Sequence, residues 1–295
     1  MNLDRLYESF KLISRQVLYG DIKYLNSEIN QKNSSEDSIK KIDMIAHNYI
    51  IDSVKNIDNI IGCISEESDD IVLFREPKND NNYILAFDPI DGSKNLLSNI
   101  TVGTIYVLYK YNHIENTIED IVEAGYCLYG PRTILVRTKD DKVEHLSLNE
   151  SNNFVKDCNL SLENNKSKIY CINQSNTYSN EIDNLIHYFK KNNFNQRWVG
   201  SMVADCHQIL CKGGIFMYPG NVKNPNGKLR LLYEVLPFAF IFQKAGGIGL
   251  DSYYKDIIGV YKNYELDELH KKVPIILCSL KEYDEMITHL LLQCL

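Results

Sequence analysis

Asp88-Pro89-Ile90-Asp91-Gly92-Ser93 constrains this chain more than any other stretch. It follows the apolar, strand-like run Tyr83-Ile84-Leu85-Ala86-Phe87. Two carboxylates three apart, with Pro between them and Gly-Ser behind, present oxygens from one tight turn. Hard cations such as Mg²⁺ take oxygen ligands and complete their shell with water and phosphate. The Gly-Ser step also exposes backbone N–H groups on which a phosphate can dock. Taken alone, the hexapeptide is moderately specific, with an ordinary Asx-type turn after a strand as the lesser alternative. The acidic pair Glu66-Glu67 about twenty residues upstream and the segment around Glu234 tip the balance toward a site.

The second acidic cluster, Ser65-Glu66-Glu67-Ser68, follows the strand-like Ile60-Ile64. Adjacent Glu side chains on a strand point to opposite faces, but at a strand end both can turn toward one site. An isolated Glu-Glu reads as a solvated loop. Here Asp88 and Asp91 also end a strand, and neighbouring strands ending at one edge would gather all four groups. Downstream, Lys228 and Arg230 are two apart and share a face if extended, a fitting pair for phosphate oxygens. Glu234 stands just before a helical pattern, where an exposed acid would otherwise serve only the helix dipole. Arg197 adds a cation beside Trp198, a ring that on its own reads as core.

The chain has 295 residues, long enough for two packed subdomains. A net charge of −7 argues against a nucleic-acid binder. An acidic protein that handles anions must concentrate its cations locally or borrow them from metals. Eight Cys occur without C-x-x-C pairs or zinc-type spacing, which fits reduced thiols in a cytoplasmic protein. Cys127 and Cys278 read as core residues. No apolar run reaches about 18 residues, so no membrane span is expected, and the N-terminus reads as neither signal nor transit peptide.

The pattern predicts a helix over Leu3–Leu18, a polar mobile loop from about Tyr24 to Glu36, and a helix from Ser38 to about Lys55 with Asp37 at its N-cap. Strand signals follow at Ile60–Ser65, Ile71–Phe74, Tyr83–Phe87, Val102–Tyr109, Glu123–Leu128 and Thr133–Arg137. Lys139 to Lys168 reads as polar and irregular, the expected divide between an N-terminal α+β half (1–168) and a C-terminal α/β half (169–295). Ile169–Asn173 and Gly214–Tyr218 read as strands, and Glu181–Lys191, Met202–Lys212 and Leu236–Ala245 as helices, the last with Pro237 in its first turn and Gly246-Gly247 behind it.

These residues carry a resemblance. Gly200-Ser201-Met202-Val203-Ala204-Asp205, Gly213-Gly214-Ile215-Phe216-Met217-Tyr218-Pro219 and Lys228 to Glu234 are similar to segments of the fructose-1,6-bisphosphatase family, within the Mg-dependent, Li-sensitive sugar and inositol phosphatases. So are Lys40-Lys41-Ile42-Asp43, Ser65-Glu66-Glu67, Phe87 to Asn95, Val102-Gly103-Thr104-Ile105 and Ala124 to Gly130, in collinear order over nearly the whole chain. The resemblance implies an α+β fold, a layered αβαβα sandwich of the sugar-phosphatase type, and hydrolysis of the 1-phosphate of fructose 1,6-bisphosphate. It implies Glu66, Asp88, Asp91 and Glu234, with the Ile90 carbonyl, as ligands for more than one Mg²⁺, with Mn²⁺ or Zn²⁺ as substitutes. Asp37 would join from the loop, and Asp43 and Glu67 would position and deprotonate the attacking water. Gly92, Ser93 and Arg230 would cradle the 1-phosphate. Asn173, Tyr218 and Lys228 would contact the 6-phosphate, with Arg197 reaching it from a neighbouring subunit of a homotetramer, and Met202 would line the sugar pocket.

Departures from the family pattern fall around the substrate rather than the metal. Lys94 replaces a small residue after the turn, Trp198 replaces a phosphate-binding Tyr, Asn176 stands where another such Tyr is expected, and Glu36 replaces a Gly before Asp37. They keep sedoheptulose 1,7-bisphosphate open as an alternative substrate; a non-catalytic regulatory protein is the remote alternative, opposed by the full carboxylate set. The segment that holds AMP in inhibited relatives has no counterpart before Leu3, and its Lys-Tyr pair reads Asn82-Tyr83, so AMP insensitivity is expected. No cysteine-bearing insertion interrupts Lys139 to Lys168, so thioredoxin control is not expected.

Overall fold

The computed structural model describes residues 2–32, 38–77, 81–163, 167–173 and 177–293. The chain opens with α1 (Asp4–Tyr19), α2 (Ile22–Leu25), the hairpin β1 (Glu28–Lys32) and β2 (Ser38–Lys40), and α3 (Lys41–Val54). A run of strands follows: β3 (Ile60–Ser65), β4 (Val72–Leu73), β5 (Asn82–Asp91), β6 (Val102–Asn112), β7 (Thr117–Tyr129), β8 (Thr133–Lys139), β9 (Lys142–Leu148) and β10 (Phe154–Leu160). Then come β11 (Ile169–Ile172), α4 (Asn180–Lys191), β12 (Asn195–Arg197), α5 (Met202–Lys212), β13 (Ile215–Tyr218), β14 (Leu229–Arg230) and α6 (Leu236–Lys244). The chain ends with β15 (Gly247–Leu250), α7 (Ile257–Val260), β16 (Tyr264–Glu265), β17 (Lys272–Val273), β18 (Ile275–Ser279) and α8 (Leu280–Gln293).

Two sheets organise the molecule. The larger is nine-stranded, in the order β10-β9-β8-β7-β6-β5-β3-β4 with β16 added to β7, and the smaller runs β12-β11-β13-β18-β15. Alternation along the strands sends each sheet's two faces into different apolar layers. Leu85 and Phe87 of β5 pack with Leu6 and Phe10 of α1 and Ile42 and Ala46 of α3. Ile84 and Ala86 of the same strand pack with Cys206 of α5, Phe238 and Phe242 of α6, and Phe216 and Leu277 of the smaller sheet. The far face of that sheet meets Leu185 and Phe189 of α4 and Met286 of α8. Five layers result, helix-sheet-helix-sheet-helix, as expected. The central apolar layer draws on residues from both sides of position 168.

Two expectations need correction. The Tyr24–Glu36 stretch is not loop throughout, because it contains β1, antiparallel to β2 with Glu28 opposite Lys40; consequently α3 starts at Lys41 rather than Ser38. Asp37 and its expected N-cap role lie outside the described residues. Lys139 to Lys168 is not irregular either, since β9 and β10 extend the large sheet there. The strand signal is weak because β10 is an edge strand with one fully solvated stretch, Val155 to Asn159, and such a strand needs no apolar alternation.

Candidate active site

β3 and β5 run parallel, with Ser65 opposite Phe87, so both strands end at one edge of the sheet. Glu66 and Glu67 leave the first end, and the Glu66 N–H donates to the Phe87 carbonyl at 3.2 Å. Between Asp88 and Asp91 the pairing with β6 slips, since Asp88 faces Ile105 while Asp91 faces Gly103. Three steps against two make a bulge. It cancels the strand's alternation and turns two carboxylates three apart toward one side. The Pro89 carbonyl inside the bulge accepts from Thr104 Oγ1 at 2.7 Å.

Glu234 arrives from the C-terminal half, in a turn of π-helix over Leu231–Val235 that leads into α6. Its carboxylate accepts the Arg230 N–H at 2.6 Å. Asp88, Asp91 and Glu234 are all buried, and their oxygens lie within 4.8 Å of one another. Burial, and then the Glu66, Asp91 and Glu234 charges, hold Asp88 well above the usual carboxylate range. Burial raises Asp91 despite the bonds it accepts from Ser201 and Val203, and it raises Glu234 despite Arg230. Asp88 Oδ1 is buried without a hydrogen-bond partner. An anionic, oxygen-only donor set with one buried oxygen unsatisfied fits a hard divalent cation. Arg230 supplies part of the missing charge, with Nη2 2.8 Å from Glu66 and Nη1 3.8 Å from Glu234.

Asp43 lies buried in the first turn of α3 and accepts the Lys40 N–H at 2.8 Å. Burial, opposed by that bond and reinforced by the Glu66 charge, pushes its carboxyl up to about 7. The Glu67 N–H donates to Ser65 Oγ at 3.3 Å, and that hydroxyl lies 2.8 Å from His47 Nδ1. A cavity of about 180 Å³ gathers Asp43, Glu66, Glu67, Asp88, Asp91 and Glu234 on its walls. Ile90, Gly92, Ser93, Lys94 and Arg230 line it too, with Ser38 and Gly200. A second cavity of about 270 Å³ shares Asp91, Gly92, Lys94 and Arg230 and adds Trp198, Met202, Tyr218 and Lys228. Trp198 stacks on Phe216 with ring centroids 6.5 Å apart.

Asn173 and Arg197 line neither cavity. Asn173 directly follows β11, and both its carbonyl and its side-chain oxygen accept from the Tyr178 hydroxyl, at 2.6 and 2.5 Å. Arg197 is exposed on β12, an edge of the smaller sheet. Sequence reasoning gave no role to three residues that support the site. Ser201 Oγ donates to Asp91 at 2.6 Å. Asp205, which burial pushes up to about 6, accepts the Val199 and Gly200 N–H groups at 2.9 and 3.0 Å and fixes the strap behind Trp198. Lys40 Nζ donates to the Ser93 carbonyl at 2.9 Å. All three lie inside motifs that the resemblance quotes, which was the available signal.

Comparisons with known proteins agree with this geometry. The family models for the fructose-1-6-bisphosphatase N-terminal and C-terminal domains match residues 1–157 and 163–290. Mouse fructose-1,6-bisphosphatase 1 is 33% identical over 304 residues, covering 97% of this chain and 87% of that protein. A class 1 fructose-1,6-bisphosphatase of Sulfurihydrogenibium is 33% identical over 288 residues, covering 94% and 86%. The crystal structure of Leishmania major fructose-1,6-bisphosphatase in holo form superposes with a TM-score of 0.85 at 28% identity, covering 97% of this chain and 92% of that one. Its T-state counterpart gives 0.82 at 27% identity, covering 97% and 90%. With both domain models matched across a continuous fold and a carboxylate cluster at their junction, the chain belongs to the fructose-1,6-bisphosphatase family.

Proposed function

We propose that this protein hydrolyses the 1-phosphate of fructose 1,6-bisphosphate, releasing fructose 6-phosphate and phosphate, as a step of gluconeogenesis. The observation that carries the reading is the junction of the two cavities. One holds the oxygen-only carboxylate cluster, and the other is lined by Lys94, Lys228, Arg230 and the Trp198 ring. A phosphate monoester resists attack because nucleophile, phosphoryl group and leaving oxygen are all electron-rich. Glu66, Asp88, Asp91 and Glu234, with the Ile90 carbonyl, are the residues to hold Mg²⁺, more than one ion, or Mn²⁺ or Zn²⁺ in its place. Bound there, the ions supply Lewis acidity toward the phosphoryl oxygens and the attacking water.

Asp43 and Glu67 orient that water and take its proton; a carboxyl raised to about 7 is a base matched to neutral pH. Gly92 and Ser93 offer backbone N–H groups to the 1-phosphate, Arg230 offers its fork, and Lys94 adds a point charge. Lys228 and Tyr218, with Asn173 and a neighbouring subunit's Arg197, take the distal phosphate, while Met202 and Trp198 bound the sugar. Asp37, which lies outside the described residues, is the further acid that this reading assigns to the metal site. This reading includes a homotetramer in the cytoplasm, with no nucleic-acid or membrane partner; no helix among the described residues is long and apolar enough to cross a membrane.

Phosphate release by the purified protein with Mg²⁺, from fructose 1,6- and sedoheptulose 1,7-bisphosphate, tests the proposal. A higher kcat/KM for the fructose ester, abolished by chelation, is expected. Preference for the seven-carbon ester moves the substrate assignment, and no release from either sinks the hydrolase reading.

A further inference from the structure

Helix α3 buries six of its residues, and four of them, Ile42, Ala46, Ile50 and Val54, are apolar. The two exceptions are Asp43 and His47, four apart and so on one face of the helix. A buried imidazole costs free energy unless a partner satisfies it, and packing alone would be served by another apolar residue. His47 finds its partner outside the helix. Its Nδ1 lies 2.8 Å from Ser65 Oγ, and both side chains are buried. The ring also leans on Phe87 of β5, with centroids 5.8 Å apart.

Ser65 ends β3, and two of its oxygens hold the turn that follows. The carbonyl accepts the Ser68 N–H at 3.2 Å, and Oγ accepts the Glu67 N–H at 3.3 Å. A hydroxyl that keeps a second partner cannot rotate away from the first, and a hydroxyl has both a proton and two lone pairs to share. His47 is that second partner. Glu66 is held by a different route, since its N–H donates to the Phe87 carbonyl at 3.2 Å. The two neighbouring acids therefore have separate anchors. Glu66 is tied to β5, the strand that carries Asp88 and Asp91. Glu67 is tied through one hydroxyl to His47, one helical turn from Asp43. Asp43 is itself fixed by the Lys40 N–H at 2.8 Å.

We propose that His47 is a positioning residue for the hydrolysis: through Ser65 it sets the aim of Glu67 relative to Asp43. The inference rests on the reading in which those two carboxylates orient and deprotonate the attacking water. His47 does not line the cavity that gathers the carboxylates, so it acts through the hydroxyl and not on the substrate. Asp91 and Glu234 keep their own bonds, from Ser201, the Val203 N–H and the Arg230 N–H. Breaking the His47–Ser65 link therefore slows the chemical step and leaves metal and substrate binding in place. The geometry also names its own substitute. The side-chain amide of Asn puts a polar atom where histidine has Nδ1, whereas that of Gln puts one where histidine has Nε2.

Steady-state phosphate release from fructose 1,6-bisphosphate, measured well below each variant's melting temperature, gives kcat, KM and the half-activating Mg²⁺ concentration. His47→Ala and Ser65→Ala should each lower kcat about 10–100-fold, as a misaimed group does, while KM and half-activating Mg²⁺ stay within about twofold. The double variant should be no slower than the slower single variant, because both changes break the same link. His47→Asn should recover most of the lost kcat, and His47→Gln should not. A lowered melting temperature with wild-type kcat in His47→Ala overturns the proposal and makes His47 a core residue. So does a KM or Mg²⁺ requirement that rises by the same factor as kcat falls, which would place the effect on binding. If His47→Ala does not fold, Ser65→Ala decides, and an unchanged kcat there is equally fatal. A wild type that releases no phosphate removes the reaction and this role with it, whereas an active wild type with indifferent variants refutes the role of His47 alone.

Discussion

Ser201 donates its hydroxyl proton to Asp91 Oδ2 at 2.6 Å, joining the start of α5 to the end of β5. The Val203 N–H adds a second bond to the same oxygen at 2.8 Å. One carboxylate of the cluster is therefore aimed by the C-terminal half of the chain, although it belongs to the N-terminal half. Ser201→Ala removes the shorter bond and leaves the carboxylate in place. Outer partners of metal ligands typically contribute 10–100-fold to affinity. Mg²⁺ affinity, followed by the activation curve for phosphate release, is expected to weaken by about that factor. Unchanged activation would show that Asp91 does not need to be aimed.

Gly92 lies under that bond. Its φ is +76°, and a Cβ there would come 2.6 Å from Ser201 Cβ. Gly92→Ala therefore meets both a left-handed backbone and a rigid neighbour, strain on the order of 1–3 kcal/mol. Loss of turnover together with a lowered melting temperature is expected. Full activity in Gly92→Ala would mean that α5 can move away from the turn without consequence.

Asp88 gives a test of opposite sign. Its folded pKa is raised by burial and by four neighbouring carboxylates, Glu66, Asp91, Glu234 and Glu67, so at neutral pH its charge disfavours the metal-free fold. Asp88→Asn keeps the shape and removes the charge. The variant is expected to melt at a higher temperature than wild type in chelator, yet to lose at least about a hundredfold in kcat, more than an outer partner would cost. A variant less stable than wild type in chelator would show that repulsion is not what strains the site.

Much of this site was legible because its chemistry is packed into short contiguous motifs. The D-P-I-D-G-S turn and the Glu66-Glu67 pair both follow apolar runs, and parallel pairing of β3 with β5 brings them together as strand ends should. The bulge between Asp88 and Asp91 was not legible, since it arises from the slip against Ile105 and Gly103, partners fixed only by tertiary pairing. β10 escaped notice because a solvated edge strand carries polar residues without alternation.

The carboxylates also fix the direction of a pH effect. Asp43 is pushed up to about 7 by burial, and Glu234, likewise buried, to about 8, while Asp88 and Asp91 are raised as well. Folded pKa values above the unfolded ones, about 3.9 for Asp and 4.3 for Glu, mean that the folded, metal-free protein binds more protons than the unfolded chain. The stability these groups contribute is complete below about pH 4 and is lost as pH rises through their raised values. A cation reverses the sign, because it binds the ionised forms and must displace protons from the rest. The metal-free protein is therefore expected to lose stability between about pH 5 and 8, while the Mg²⁺-loaded protein keeps it. Apparent Mg²⁺ affinity should rise over the same window with release of protons. Calorimetric titration of Mg²⁺ in two buffers of different ionisation enthalpy measures that release directly. Equal heats in both buffers at pH 6.5 would show that the cluster is already fully ionised before the metal arrives, and that Arg230 alone neutralises it.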